Sequence, residues 1–301
     1  MRAVVMHETG GPEVLRIEEV EQPEAADGAV LIRVRAAAVN AIEWKYRRGL
    51  YPKQLPAVLG SDLSGTVERS RAEGFAEGDE VFGLASSGAY AELATARATG
   101  IAKRPPGVSV EQAAALPVAG LTAWQALFDH GRLAQGQTVL IAGAAGGVGH
   151  LAVQLAGHAG ARAIGTGSAR NRDFVLGLGA DDYVDYTGQD VAEEVSGVDV
   201  AFDTVGGQTT EALLPTIRRG GSLITIAGTP PQQAAGERGV RAEAFSMIPN
   251  ARQLGEIADL VAAGKVRAEI AATLPLEEVG QAHALIESGH TRGKIILSVS
   301  A

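Results

Sequence analysis

A run of small residues, Gly143-Ala144-Ala145-Gly146-Gly147-Val148-Gly149, follows the apolar stretch Thr138 to Ala142. It leads into a segment where Val148, Leu151, Ala152, Leu155, Ala156 and Ala159 recur at helical spacing before Gly160. Strand, tight turn and helix in that order make a seat for a dinucleotide's diphosphate. Small side chains let the chain turn sharply, Gly146 admits backbone N–H groups close to the pyrophosphate, and Gly149 lets helix and strand approach. The helix N-terminus adds partial positive charge. Ala144 stands at the first position of the usual glycine pattern, with a glycine one place earlier at Gly143. About twenty residues after the glycines, an acid would bind a ribose 2′-hydroxyl. Here the sequence reads Gly165-Thr166-Gly167-Ser168-Ala169-Arg170-Asn171-Arg172, with no acid before Asp173. The hydroxyl of Ser168 and the guanidinium groups of Arg170 and Arg172 suit a 2′-phosphate, so the expected cofactor is NADPH.

The elements that must hold this turn change character along the chain. In the first hundred or so residues the apolar period is two: Val30, Ile32, Val34 and Ala36 alternate with Leu31, Arg33 and Arg35, and short runs follow at Ser64 to Glu68, Glu80 to Leu84 and Tyr90 to Ala94. This predicts a compact antiparallel β domain, a partly open barrel. From about Ala113 helices alternate with continuous apolar strands at Thr138 to Ala142, Ala163 to Thr166, Tyr183 to Asp185, Val198 to Asp203 and Ser222 to Ala227. Such runs suit parallel strands covered on both faces. A loop from Thr229 to Gly239 precedes a helix near Arg252 to Ala263, a strand near Ile270 to Thr273, a helix from Leu276 to Ser288 and a last strand from Lys294 to Val299. The expected fold is α/β: a β-barrel domain, residues 1–118 plus 251–301, into which a doubly wound parallel-sheet domain, residues 119–250, is inserted.

Composition narrows the function. The 301 residues carry a formal charge of −9 and only 4% aromatics, which offers nucleic acid neither a basic field nor a stacking platform. There is no cysteine, hence no disulfide, thiolate metal site or cysteine nucleophile. The apolar run Ala3 to Met6 is too short for a signal-peptide core, and Ala113 to Phe128 is broken by Pro117, Gly120, Thr122 and Gln125. The expectation is a cytoplasmic protein with no nucleic-acid or membrane partner.

Gly136-Gln137-Thr138-Val139-Leu140, the turn Ala144 to Gly149 and Gln154 together resemble the quinone oxidoreductase signature of the medium-chain dehydrogenase/reductase superfamily, in its zeta-crystallin-like branch. Further matching pieces are Val39-Asn40, Arg47 with Gly49, Gly60-Ser61-Asp62 with Gly65, Gly88-Ala89-Tyr90-Ala91-Glu92, Leu121-Thr122-Ala123, Phe202-Asp203-Thr204-Val205-Gly206-Gly207 and Arg292-Gly293-Lys294. The resemblance implies a GroES-like catalytic domain split around a Rossmann domain, an active site in the cleft between them, and a homodimer. It also implies Thr122 near the nicotinamide and its ribose, Ser168 and Arg170 at the 2′-phosphate, Tyr186 at the adenosine end, and Ala227-Gly228 along the nicotinamide. Gly157 departs from the pattern, and the connections around Arg69 to Gly78 and around Ser196 are trimmed.

Zinc-dependent relatives carry Gly-His-Glu where this chain has Gly60-Ser61-Asp62. The six histidines (His7, His130, His150, His158, His283 and His290) are scattered and read as surface or helix residues. Without a Lewis acid, the expected acceptor is already activated: a quinone or an α,β-unsaturated carbonyl, which takes hydride and needs hydrogen-bond donors for the oxyanion that develops. Candidate donors are Asn40, Tyr46 and Tyr51, with Trp44 as a wall and Asp62 orienting them; the plainer alternatives are a turn residue for Asn40 and packing for the tyrosines. Arg292 and Lys294 either steady cofactor phosphates or flank the last strand as solvated charges. A zinc-free enoyl-thioester reductase, an alcohol dehydrogenase on the same scaffold, and a non-catalytic NADPH-binding protein are the competing functions.

Overall fold

The computed structural model describes residues 1–299; the last two residues of the expected β domain lie outside the described residues. The chain divides into two compact units, Met1–Leu121 with the chain from Pro249 on, and Thr122–Ile248. Strands β1 (Arg2–Met6), β2 (Leu15–Glu19), β3 (Ala29–Val39), β4 (Ala57–Val58), β5 (Asp62–Ser70), β6 (Glu80–Leu84), β7 (Leu93–Arg97) and β8 (Ile101–Lys103) belong to the first unit. The second holds β9 (Thr138–Ala142), β10 (Arg162–Gly167), β11 (Asp182–Asp185), β12 (Val198–Asp203), β13 (Ile217–Thr225) and β14 (Arg241–Ala244), and the chain returns to the first with β15 (Ile270–Pro275) and β16 (Lys294–Ser298).

In the first unit a seven-stranded sheet runs β15-β16-β3-β5-β6-β8, with β7 also paired to β3, and a small sheet runs β2-β1-β4. The long strand β3 shows why period two held only in part: Arg33 and Arg35 face outward, but Leu31 is buried with its neighbours because both faces of the strand are covered. Register decides what meets at its end. Val39 pairs with Ile295 and Ala38 with both Ile296 and Asp62, so residues from three distant stretches converge where β3 runs out.

The core of this unit also encloses polar groups that the sequence does not announce. His283, on the helix Val279–Glu287, is fully buried with its ring 5.8 Å from that of Tyr90, edge to face. In the second unit His150, on the helix Gly149–His158, is buried too, so both are the helix residues expected but neither is at the surface. Burial first, and the Arg47 charge second, push His283 down to about 3 from an ordinary 6.5. Its folded-state affinity for a proton is thus depressed, and the associated stability is present above about 6.5 and is lost as pH falls toward about 3. His283→Phe is expected to flatten the acid slope of unfolding free energy in this window by up to about 1.4 kcal/mol per pH unit. Urea titrations at several pH values check it; an unchanged slope would show that His283 is not the group protonated on unfolding. At alkaline pH the substitution costs little hydrogen bonding, because neither ring nitrogen has a partner to lose.

The second unit is a parallel sheet in the order β11-β10-β9-β12-β13-β14. Order reverses between β9 and β12, the place where such sheets bind ligands beyond the carboxyl ends of their strands. The sequence foretells β9 and β12 to the residue but takes 229–239 for a loop; the structure has a helix at Gln232–Glu237 and then the edge strand β14. Arg241-Ala242-Glu243-Ala244 has no β-branched or aromatic residue, and edge strands need little of either. No helix among the described residues is long and apolar enough to cross a membrane.

Candidate active site and dinucleotide turn

In the second unit, Gly143 turns the chain at φ 70° directly after β9, and the helix Gly149–His158 begins six residues later. Gly149 is pressed on the turn: a Cβ there would lie 2.2 Å from the Gly143 carbonyl oxygen and 2.8 Å from Ala144 Cα. Ala144 N–H donates to Thr166 O at 3.1 Å, and the His150 ring donates through Nδ1 to Gly146 O at 2.9 Å, which fixes the loop from both sides. Among the described residues the backbone amides of Ala145, Gly147 and Val148 donate to no other group of the protein. Unpaired amides at the mouth of a helix fit a diphosphate.

The far side of the crevice is equally ordered. Asp203, at the end of β12, accepts Val205 and Gly206 N–H at 2.9 Å through Oδ1 and the hydroxyls of Thr210 and Thr225 at 2.5 and 3.1 Å through Oδ2. Thr204 donates to Ala142 O at 2.7 Å, joining the ends of β12 and β9. Thr225 Oγ1 accepts the Ala227 N–H at 3.1 Å, which places Ala227 and Gly228 on the same rim.

Ser168, Arg170 and Arg172 follow β10 as expected, Ser168 half-buried and both arginines exposed. Arg172 donates to Tyr183 O at 3.1 Å, and Tyr186, at 60% exposure, follows β11 on the same edge. The structure adds an acid that spacing did not suggest: Asp185 pairs in register with Gly167 and takes a hydrogen bond from Ala169, with Thr187 the larger cause of its lowered pKa. Counting along one strand misses a carboxylate delivered by its neighbour. Thr122 is buried in the helix Pro117–Trp124.

In the first unit a cleft of about 460 Å³ is lined by Glu43, Tyr46, Lys53, Ser61, Ser86 and Ser87 among others. Tyr46, one of the expected donors, is among the lining residues, and Lys53 Nζ sits 5.3 Å from its ring. Tyr51 and Trp44 are not in the lining; Tyr51 is half exposed and packs edge to face on Tyr46 at 6.4 Å.

Asn40 and Asp62 are not among the residues that line this cleft; Asp62 orients Asn40, while the donor role expected of Asn40 is corrected. Asn40 Nδ2 donates to Asp62 Oδ2 at 2.9 Å and weakly to Glu43 Oε1 at 3.5 Å, while its oxygen accepts from Lys294 Nζ. Both amide hydrogens are spent inside the protein, so Asn40 has no donor left for an acceptor. Asp62 is 0% exposed and accepts from Val118 N–H at 2.8 Å and from Lys294 at 3.4 Å. Lys294 is 2% exposed and held between them, so it neither reaches a phosphate nor flanks its strand in water. It points inward because β16 delivers it to the end of β3 beside Asn40.

Glu43 closes the cluster. It is 1% exposed and lines the cleft, its Oε2 accepting Asn40 N–H at 2.6 Å and its Oε1 accepting Ser61 N–H at 3.0 Å. Burial, then the Asp62 charge, push it up to about 7. Asp62 is also raised by burial, against the pull of Lys294. The sequence signal for Glu43 was a cap-plus-three spacing, Asn40 then Glu43, in which the acid reaches back to the first residue of the helix Ala41–Arg47.

No three histidine, cysteine, aspartate or glutamate side chains converge on a metal position among the described residues. With no cysteine in the sequence and Asp62 already saturated, the residues here do not fit a catalytic zinc.

Residues 26–106 match the alcohol dehydrogenase GroES-like domain, and residues 178–297 match a family described as zinc-binding dehydrogenase. A chloroplastic quinone-oxidoreductase homolog of Spinacia oleracea is 34% identical over 96% of this chain and 95% of its own. An NADPH-dependent alkenal/one oxidoreductase of Arabidopsis thaliana is 31% identical over 99% of this chain and 79% of its own. The structure of a quinone oxidoreductase from Coxiella burnetii superposes with a TM-score of 0.93 at 34% identity, covering 100% of this chain and 99% of that one. Fold, glycine turn and full-length similarity agree: the chain belongs to the medium-chain dehydrogenase/reductase superfamily, in its quinone oxidoreductase branch, and is an oxidoreductase.

Proposed function

We infer that this oxidoreductase reduces a small conjugated carbonyl acceptor, a quinone or an enone, using NADPH and no metal. The observation that carries the reading is the glycine turn with the unpaired amides of Ala145, Gly147 and Val148, which supplies a diphosphate seat and nothing else of obvious use. NADPH supplies hydride when bound. The chain's own residues hold the diphosphate at that turn and the 2′-phosphate at Ser168, Arg170 and Arg172. Asp185 lies close enough to that edge to oppose a phosphate, so the arginines decide the preference. Arg170→Ala is expected to raise the Kd for NADPH by about 10- to 100-fold, the worth of one charge-assisted bond, and to leave NADH nearly unaffected. Equal losses for both cofactors in a fluorescence titration would remove Arg170 from the 2′-phosphate.

The acceptor's place is the cleft of the first unit. Tyr46 and the serine hydroxyls offer donors to a developing oxyanion, and Lys53 adds positive charge. The test is NADPH absorbance followed against ortho- and para-quinones, enals, enones and enoyl-CoA, with NADH as control. Turnover confined to enoyl-CoA would replace the quinone reading by a thioester reductase, and binding without any turnover would leave a cofactor-binding protein. A homodimer is part of the same reading: among the described residues β14 pairs only with β13, and Ile248 beyond it is 64% exposed. Light scattering at the mass of one 30.9 kDa chain would exclude it.

A further inference from the structure

Glu43, Asp62 and Lys294 are 1%, 0% and 2% exposed, and together they carry one cation for two carboxylates. A buried cluster with an uncompensated charge costs several kcal/mol, and holding one proton removes that cost. The geometry says which group holds it. Asp62 accepts from the Lys294 ammonium, Asn40 and Val118, whereas Glu43 accepts only from the neutral N–H groups of Asn40 and Ser61, has no bond to the ammonium, and lines the cleft. The remaining groups near it are the buried phenol of Tyr90 and, in the lining of the same cleft, Tyr46 one turn along its own helix and Lys53. Glu43 therefore keeps a proton in the range where burial and the charge of Asp62 place it, at about 7.

Resting on the reading of the cleft as the acceptor site, we propose that Glu43 is the proton donor of the reaction: it stores the single proton of the Glu43–Asp62–Lys294 cluster and passes it to the oxygen of an acceptor bound above it. A quinone that takes up hydride from reduced nicotinamide gains two electrons and one hydrogen and becomes a hydroquinone anion. The O–H bond of Glu43 then breaks, an O–H bond forms on the anion, and the products are the neutral hydroquinone, the oxidised nicotinamide and the Glu43 carboxylate. Water entering the cleft reprotonates Glu43. The design avoids placing an oxyanion beside two buried carboxylates. Lys294, 251 residues away in sequence, is a positioning residue that keeps Asp62 charged and Asn40 fixed.

The experiment has two arms on the full chain. Infrared pH titration without substrate is expected to show a protonated carboxyl that disappears between roughly pH 5 and pH 9 and is missing from Glu43→Gln. In the second arm, kcat/KM for NADPH and para-benzoquinone is expected to fall tenfold per pH unit above the midpoint. Glu43→Gln should lose at least about 100-fold and the pH limb with it, Glu43→Asp should recover part of the rate, and Asp62→Asn should move the limb to lower pH. Intact NADPH affinity and cooperative melting check that each variant is folded. A carboxyl band shared by wild type and Glu43→Gln overturns the stored proton whatever the turnover. A Glu43→Gln rate within about threefold of wild type, or an Asp62→Asn limb that stays put, overturns the delivery. Absence of turnover in the wild type with every acceptor overturns the reductase reading and the delivery together, while the infrared arm still decides where the proton resides.

Discussion

Gly149→Ala is expected to weaken NADPH binding by about 100- to 1000-fold, the largest single effect on the cofactor site. The effect is steric before it is electrostatic. A methyl group at this position would sit 2.2 Å from Gly143 O and 2.8 Å from Ala144 Cα, distances that backbone atoms do not tolerate, so the turn has to open. Opening it moves the amides of Ala145, Gly147 and Val148 away from one another. Two charge-assisted hydrogen bonds, each worth about 1.5–2 kcal/mol at the lower end of their usual range because they lengthen and do not vanish, are then forfeited, which gives the stated range. Gly146 makes the internal comparison: a Cβ there meets only Gly143 O, at 3.2 Å, so Gly146→Ala requires a shift of a few tenths of an ångström and is expected to cost about tenfold or less. Fluorescence titration of NADPH against both variants checks the order, with thermal melting to show that the sheet survives. Wild-type affinity in Gly149→Ala would mean that the diphosphate is held elsewhere.

The contrast between the two sites shows what kind of information a sequence exposes. The dinucleotide turn is written within twelve residues: strand, glycines and helix follow one another from Thr138 to Gly149, so local spacing is enough to find it. The parallel strands β9 and β12 are legible for the same reason, since Val139 to Ala142 and Val200 to Phe202 are short apolar runs buried on both faces. The small sheet of β1, β2 and β4 is not legible. Its strands pair residues as far apart as Met6 and Ala57, and β4 has only two residues. The buried cluster beside the cleft of the first unit is hidden for the same reason. Asn40, Asp62 and Lys294 read singly as a turn residue, an orienting acid and a solvated flank. They become one cluster only when β5 and β16 take their places on either side of β3. Glu43 escapes notice because its helix looks polar, and only the fold shows that this position turns inward under a cleft. Asp185 escapes because the strand that carries it is not the one whose end is being counted.

Lys294→Met is expected to destabilise the protein by about 3–5 kcal/mol at alkaline pH, the cost of leaving a buried charge without its partner. Its effect is also expected to depend on pH in a definite direction. Glu43 and Asp62 both have raised folded-state pKa values, so each contributes stability that is full below its ordinary pKa and is lost as pH rises through its folded value, about 7 for Glu43. Removing the ammonium withdraws a group that lowers both, so the variant needs protons the wild type does not. Its deficit should therefore be largest above about pH 8 and shrink toward pH 5 as the carboxyls are neutralised. Adding Asp62→Asn to Lys294→Met removes the stranded carboxylate and is expected to recover much of the loss, whereas Asp62→Asn alone leaves the ammonium without its nearest anion. Urea denaturation of the four proteins at both pH values provides the double-mutant cycle, and a coupling below about 0.5 kcal/mol would show that the three groups do not act as one cluster. The same proteins separate this role from the one the sequence suggested. A lysine that steadied cofactor phosphate would lower NADPH affinity when replaced, while the buried lysine of this fold should leave the affinity of the folded protein where it was.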